Sequence, residues 1–162
     1  MKTAPVLHYP NFEKPFYLET DGSQFGLGAV LAQKEESGKF HPIAYASRGL
    51  NLHEGNYPIT ELEALAVVFA CQKFHSYIYG QPTFVVTDHS ALTFLMKKKN
   101  PTGRLHRWAV QLATYQLTFL YRKGAENYAS DALSRAREAY EDVPDLADEA
   151  KLVPPLSRLQ SR

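Results

Sequence analysis

From residue 16 the chain alternates between two faces and is punctuated by turn residues. FYLETD (16–21) alternates and runs into Asp21-Gly22-Ser23, a turn signal, which predicts a first strand. GLGAVLAQ (26–33) predicts a second strand. Glu35-Glu36-Ser37-Gly38 reads as a hairpin loop, and KFHPIAYASR (39–48) as a third strand, where Pro42 suits an edge position. These three make an antiparallel meander.

The period then changes. TELEALAVVFACQKFHSYI (60–78) is almost free of breakers and apolar on most faces, as a helix buried against a sheet is. Pro58 suits its first turn, and Gly80 followed by Pro82 ends it. PTFVVTD (82–88) is a short β-branched run, a fourth strand. A helix between strands implies a right-handed crossover to a parallel partner. SALTFLM (90–96) and RLHRWAVQLATY (104–115) predict two helices separated by a lysine-rich turn. QLTFLYR (116–122) predicts a fifth strand and ENYASDALSR (126–135) a closing helix. The order β-β-β-α-β-α-α-β-α defines an α/β layer fold with a mixed sheet.

Composition narrows the class. With 162 residues, 44% of them hydrophobic, the chain suits one domain, or one plus a tail. A formal net charge of +1 excludes a histone-like polycation and an acidic disordered chain. A single cysteine, Cys71, excludes a disulfide scaffold and a cysteine-based zinc site, and reads as a small core residue in a reducing compartment. No apolar run approaches the ~18 residues of a membrane span. The N-terminus has no apolar signal segment, so the chain is expected not to be secreted. Residues 136–162 hold six acids, four bases, Pro144, Pro154 and Pro155, and read as an acidic linker or tail with a short helix at 145–152. The remaining body, 1–135, is mildly basic.

Chemistry concentrates in carboxylates. Two predicted strands end in aspartate, at Asp21 and Asp88. If the fourth strand returns beside the first, ~4.8 Å away, the two acids sit side by side at the switch point where open α/β sheets bind ligands. Such a pair repels unless one acid takes up a proton or a hard divalent cation bridges them. Aspartates also simply start turns, and spacing alone leaves both readings open. On the long helix Glu61 and Glu63 lie about 200° apart at ~100° per residue, so they cannot share a face. Thr60 and Glu63 fit the spacing of a capping box, which gives Glu63 a structural role and leaves Glu61 free. Glu61 equally suits the positive end of the helix dipole, and periodicity does not settle the choice. Asp131, in the closing helix, reads on its own as a solvated residue. The histidines His8, His41, His53, His75, His89 and His106 show no zinc-ligand spacing.

Taken in series, four motifs carry a resemblance. TDGS (20–23), YPITELEAL (57–65), TDHSAL (87–92) and SDALSR (130–135) look like one source, within a match covering roughly 4–135. The chain resembles the ribonuclease H domain of gypsy-type LTR-retrotransposon reverse transcriptases. APVLHYPNFEKPF (4–16) resembles the lead-in that follows the polymerase part of those Pol polyproteins. The expected division is a lead-in at 1–15, a ribonuclease H domain at 16–135 and a tail at 136–162. The resemblance implies a ribonuclease H-like fold, a five-stranded mixed sheet of order 3-2-1-4-5 flanked by helices. It also implies a four-carboxylate site. The first-strand aspartate maps to Asp21, the glutamate directly after threonine to Glu61, the TDH aspartate to Asp88 and the ALSR-helix aspartate to Asp131. Departures are small: Gly22 stands where alanine is common, and Ser130 where alanine is usual. The loop YRKGAEN (121–127) lacks the histidine that cellular and retroviral relatives carry there, so proton handling falls to water or to another group such as Tyr121.

What the resemblance implies chemically is metal-dependent endonucleolytic cleavage of the RNA strand of RNA–DNA hybrids during reverse transcription, leaving 3′-OH and 5′-phosphate ends. The four carboxylates would hold two Mg²⁺ ions ~3.5–4 Å apart, with Mn²⁺ able to substitute. Asp21 would bridge both ions, Glu61 and Asp88 hold one, and Asp131 complete the other. The densest basic stretch, Lys97, Lys98, Lys99, Arg104 and Arg107, is the expected phosphate-docking surface, although a solvated lysine turn is the plainer reading. Trp108 beside it reads as core. Expected partners are the hybrid and the polymerase domains of the same polyprotein, with no membrane. The expected setting is cytoplasmic, within a virus-like particle, or nuclear. The alternative is a non-catalytic, domesticated or tether-like ribonuclease H-fold interaction module. The intact four-acid set speaks against a decayed tether.

Overall fold

The computed structural model describes residues 7–87 and 103–121. β1 (Phe16–Ser23), β2 (Gly26–Lys34) and β3 (Phe40–Arg48) form the expected antiparallel meander, and β4 (Thr83–Thr87) and β5 (Leu117–Tyr121) complete one sheet of order β3-β2-β1-β4-β5. β1 runs antiparallel to β2 and parallel to β4, and β4 is parallel to β5. The crossover that makes β1 and β4 parallel neighbours is carried by α1 (Ile59–Lys73) and the short α2 (His75–Ile78). α3 (Arg104–Leu112) precedes β5. The expected elements at 90–96, 126–135 and 145–152 lie outside the described residues.

Burial explains why α1 carries no clean amphipathic stripe. Every residue from Leu62 to Cys71 is buried. One side packs on Phe16, Leu18, Leu31 and Val85 of the sheet, and the core continues through Trp108 and Leu112 of α3. Trp108 is therefore core, as expected. Burial pushes the Cys71 thiol up to about 12, so it stays protonated and packs as a small apolar group. The opposite face of the sheet gathers Tyr17, Val30, Ala32, Phe40 and Val86 into a second cluster.

The predicted single helix over 60–78 is broken in the structure. Phe74 leaves helical geometry (φ −102°, ψ 17°) between α1 and α2. At this point the Tyr115 hydroxyl donates to the Cys71 carbonyl at 3.2 Å and meets His75 Nδ1 at 2.7 Å. Gly80, at φ 74°, then turns the chain toward β4, a left-handed conformation that glycine adopts without steric cost.

Pro42 does lie on the edge strand, and the β2–β3 register shifts between Leu31 and Ala32 opposite it. The segment before β1 packs along this edge. The His8 amide donates to the Pro42 carbonyl at 3.0 Å. Buried Gln33 clamps the same segment. Its Oε1 accepts from the Asn11 amide at 2.8 Å, and its Nε2 donates to the Asn11 carbonyl at 2.7 Å and the Lys14 carbonyl at 3.2 Å.

Candidate active site

Asp21 lies near the carboxyl end of β1, half-buried, opposite Gly28 of β2. A Cβ on Gly28 would meet nothing within 4 Å among the described residues. The β1–β4 ladder pairs Glu19 with Val86, and Asp21 and Asp88 each stand two positions further along the sequence. Asp88 itself, with Asp131 and Lys97, Lys98 and Lys99, lies outside the described residues.

The first turn of α1 is seated on the end of β1. At Gly22 a Cβ would run into the Leu62 carbonyl and come within 2.8 Å of the Glu63 amide nitrogen. The Gly22 amide points at Glu63 Oε2, 3.4 Å away. This overturns the capping-box expectation. Pro58, not Thr60, occupies the N-cap position, no side chain caps the helix, and Glu63 is buried against β1. Thr60 is already inside the helix, because the Glu61 and Leu62 amides both donate to the Pro58 carbonyl. A reciprocal box does exist one loop earlier. Asn51 Oδ1 accepts from the Glu54 amide at 2.9 Å, while Glu54 Oε2 accepts from the Asn51 amide at 3.0 Å.

Glu54 also takes both arms of Arg48, at 2.7 and 2.9 Å, and is itself buried. The Arg48 hydrogen bonds hold its carboxyl below the usual carboxylate range, although burial opposes them. This fork fixes the loop between β3 and α1 and so the entry of the catalytic candidate Glu61. The Asn51-x-x-Glu54 spacing is a sequence signal for the box; the pairing with Arg48 has none.

Glu61 is set by a different contact. Its Oε2 faces Arg104 Nη1 at 3.4 Å, and both atoms are buried without a hydrogen bond. The Arg104 guanidinium lies 3.9 Å from the centre of the Tyr57 ring, which in turn lies 6.1 Å from Trp108. The structure thus divides the two arginines expected to bind phosphate. Arg107 is exposed on α3, whereas Arg104 is turned inward onto Glu61 and Tyr57. Tyr57 escaped sequence reasoning, since a tyrosine before a helix has no distinctive spacing. Tyr121 closes β5, and its side chain lies outside those described.

Asp21 and Glu61, the two candidates among the described residues, are carboxylates, a donor type that suits a hard divalent ion, and Glu61 offers a buried oxygen that accepts no hydrogen bond from the described residues.

A mixed five-stranded sheet of this order, with its helices, is a ribonuclease H fold. Solved structures agree: the chain matches the foamy viral protease-reverse transcriptase dRH in complex with double-stranded DNA (TM-score 0.62, 23% identity, 75% of this chain and 22% of that one). It also matches LC11-RNase H1 in complex with an RNA/DNA hybrid (TM-score 0.52, 15% identity, 76% and 97%). Residues 11–115 match the RNase H-like domain found in reverse transcriptase, and the chain belongs to that family. It is 45% identical over 133 residues to the retrovirus-related Pol polyprotein from transposon 297 of Drosophila melanogaster, covering 82% of this chain and 12% of that polyprotein. The corresponding polyprotein from transposon gypsy of the same fly is 40% identical over 131 residues, covering 80% and 12%. The chain therefore spans about an eighth of the length of these relatives.

Proposed function

We propose that the chain is a metal-dependent ribonuclease H that cuts the RNA strand of RNA–DNA hybrids during reverse transcription. The observation that carries this reading is the seating of α1 on β1 at Gly22, which sets the Glu61 turn over the strand end that bears Asp21. Membership of a reverse-transcriptase domain family supports the substrate, as does the fold shared with a ribonuclease H bound to an RNA/DNA hybrid.

Asp21, Glu61, Asp88 and Asp131 are the proposed ligands of two Mg²⁺ ions, with Mn²⁺ as a substitute. Bound ions of this kind activate a water for attack on the scissile phosphate and stabilise the leaving 3′ oxygen. The chain's own contribution is positioning. β1 presents Asp21 near its carboxyl end, and the Arg48–Glu54 fork and Pro58 fix where α1 starts. Arg107 and the lysine run Lys97–Lys98–Lys99 are proposed to draw in the phosphate backbone. The polymerase domains of a Pol polyprotein are the proposed covalent neighbours.

The test is cleavage of a labelled hybrid in Mg²⁺ by the wild type and Asp21→Asn, with melting curves to establish that both are folded. The wild type should cut only the RNA strand, and Asp21→Asn should lose that activity. A folded wild type that binds the hybrid without cutting it would favour the non-catalytic interaction module.

A further inference from the structure

Away from the carboxylates, three side chains from separate parts of the chain converge at the outer edge of the sheet. His8 precedes β1, Glu35 opens the β2–β3 loop, and His41 lies on β3. Each offers a ligand atom, and all three atoms lie within 4.8 Å of one another. Glu35 Oε1 is 3.1 Å from His41 Nδ1, and the His8 and His41 rings have centroids 4.3 Å apart, tilted by 36°.

Contacts independent of the cluster hold His8 and Glu35, and His41 is fixed by its pairing with Gln33 in the β2–β3 ladder. The His8 amide is bonded to the Pro42 carbonyl, and the Gln33 clamp fixes the chain just beyond it. The Glu35 amide donates to the Lys39 carbonyl at 2.7 Å, closing the loop. Ser37 Oγ donates to Glu35 Oε2 at 3.2 Å, which leaves Oε1 directed at His41.

We propose that His8, Glu35 and His41 form a binding site for a divalent transition-metal ion of the zinc class, which staples the segment before β1 to the free edge of β3. Two imidazoles and one carboxylate are a set that zinc accepts with a fourth position open, at metal–ligand distances of about 2.0–2.2 Å. Ligands around a tetrahedral ion at those distances stand roughly 3.4 Å apart. The Glu35–His41 separation already meets that spacing. The closure still needed falls to His8, whose side chain is exposed and able to turn. Nitrogen donors separate this site from the all-oxygen site around Asp21, which favours a hard ion. Burial and the neighbouring His8 lower the pKa of His41, against an upward pull from Glu35. The charge of Lys14 acts in the same direction on His41 but opposes a bound cation.

The probe is Zn²⁺ alone, titrated into the full chain by calorimetry with excess Mg²⁺ present to fill the carboxylate site. The expected result is one equivalent bound and a melting temperature that rises with zinc concentration. His8→Ala and Glu35→Gln should each weaken zinc binding by more than about 100-fold, beyond the roughly 10–100-fold that removal of an outer-shell partner costs, while leaving the zinc-free melting temperature unchanged. Asp21→Asn should bind zinc as the wild type does. With Co²⁺, the ring-proton resonances of His8 and His41 should shift or broaden before those of His53 or His106. An absent zinc response in the wild type would overturn the proposal, and so would undiminished binding in both His8→Ala and Glu35→Gln.

Discussion

Gly22 of β1 and Leu62 of α1 approach so closely that a Cβ on the glycine would collide with the leucine carbonyl oxygen. The obstacle is helix backbone, which cannot rotate away as a flexible side chain would. The approach couples the strand that bears Asp21 to the turn that bears Glu61, so the spacing of the two acids depends on a missing methyl group.

Gly22→Ala should therefore destabilise the protein by roughly 1–3 kcal/mol, the usual cost of overpacking, and depress hybrid cleavage by moving α1 away from β1. Urea unfolding and cleavage rates on the same preparation measure both. A stable, fully active Gly22→Ala would mean that α1 can shift at no cost to the site.

Glu61 and Glu63 should respond differently to substitution. Glu61→Gln keeps the shape of the side chain but removes the charge, and is expected to abolish Mg²⁺-dependent cleavage with little change in melting temperature. Glu63→Ala removes a buried acceptor facing the Gly22 amide and should cost about 1–3 kcal/mol. Its activity at saturating Mg²⁺ should fall less than that of Glu61→Gln. Equal losses of activity in folded proteins would contradict this division.

Arg104 and the run Lys97–Lys98–Lys99 should separate in a salt titration. Arg104→Gln removes the cation facing Glu61 and the ring contact with Tyr57, so saturated turnover should drop while the salt dependence of hybrid binding stays near that of the wild type. Changing Lys97, Lys98 and Lys99 to alanine should do the opposite, lowering the slope by roughly 0.7–0.9 for each phosphate that is no longer neutralised. Binding is measured in Ca²⁺ to block cleavage. An Arg104→Gln slope reduced as much as that of the lysine variant would return Arg104 to the phosphate track.

The Arg48–Glu54 fork should leave a signature in acid. The folded-state pKa of Glu54 is lowered from an ordinary value of 4.5, so the fork contributes its full stability above that pH. The contribution is lost as pH falls through the lower folded value. Glu54→Gln should thus be less stable than the wild type near pH 7, with the gap narrowing below about pH 4.5. Chemical unfolding at a series of pH values tests this, and a gap that widens in acid would refute it.

The sequence by itself determined the layer fold, the order of its elements and the candidate acids. Those depend on local patterns: alternation in β1 to β3, an unbroken apolar run in α1, and aspartates at or just after strand ends in motifs that lie within short windows. Even there the break at Phe74 has no local signal, and the Tyr115 hydroxyl that bonds the Cys71 carbonyl beside it comes from over 40 residues away. Tertiary structure alone decided where each glutamate lies and what surrounds it. Glu63 had a plausible local partner in Thr60, yet its carboxylate is buried against Gly22 of β1, because a helix start set by Pro58 turns that face to the sheet. Arg104 read as one more surface cation until the packing of α3 on α1 brought it to Glu61. His8, Glu35 and His41 have no ligand spacing in the sequence, and only the docking of the lead-in along the edge of β3 brings them together. Spacing rules see neighbours within a turn or a hairpin, whereas these contacts join groups whose separation is set by how layers pack.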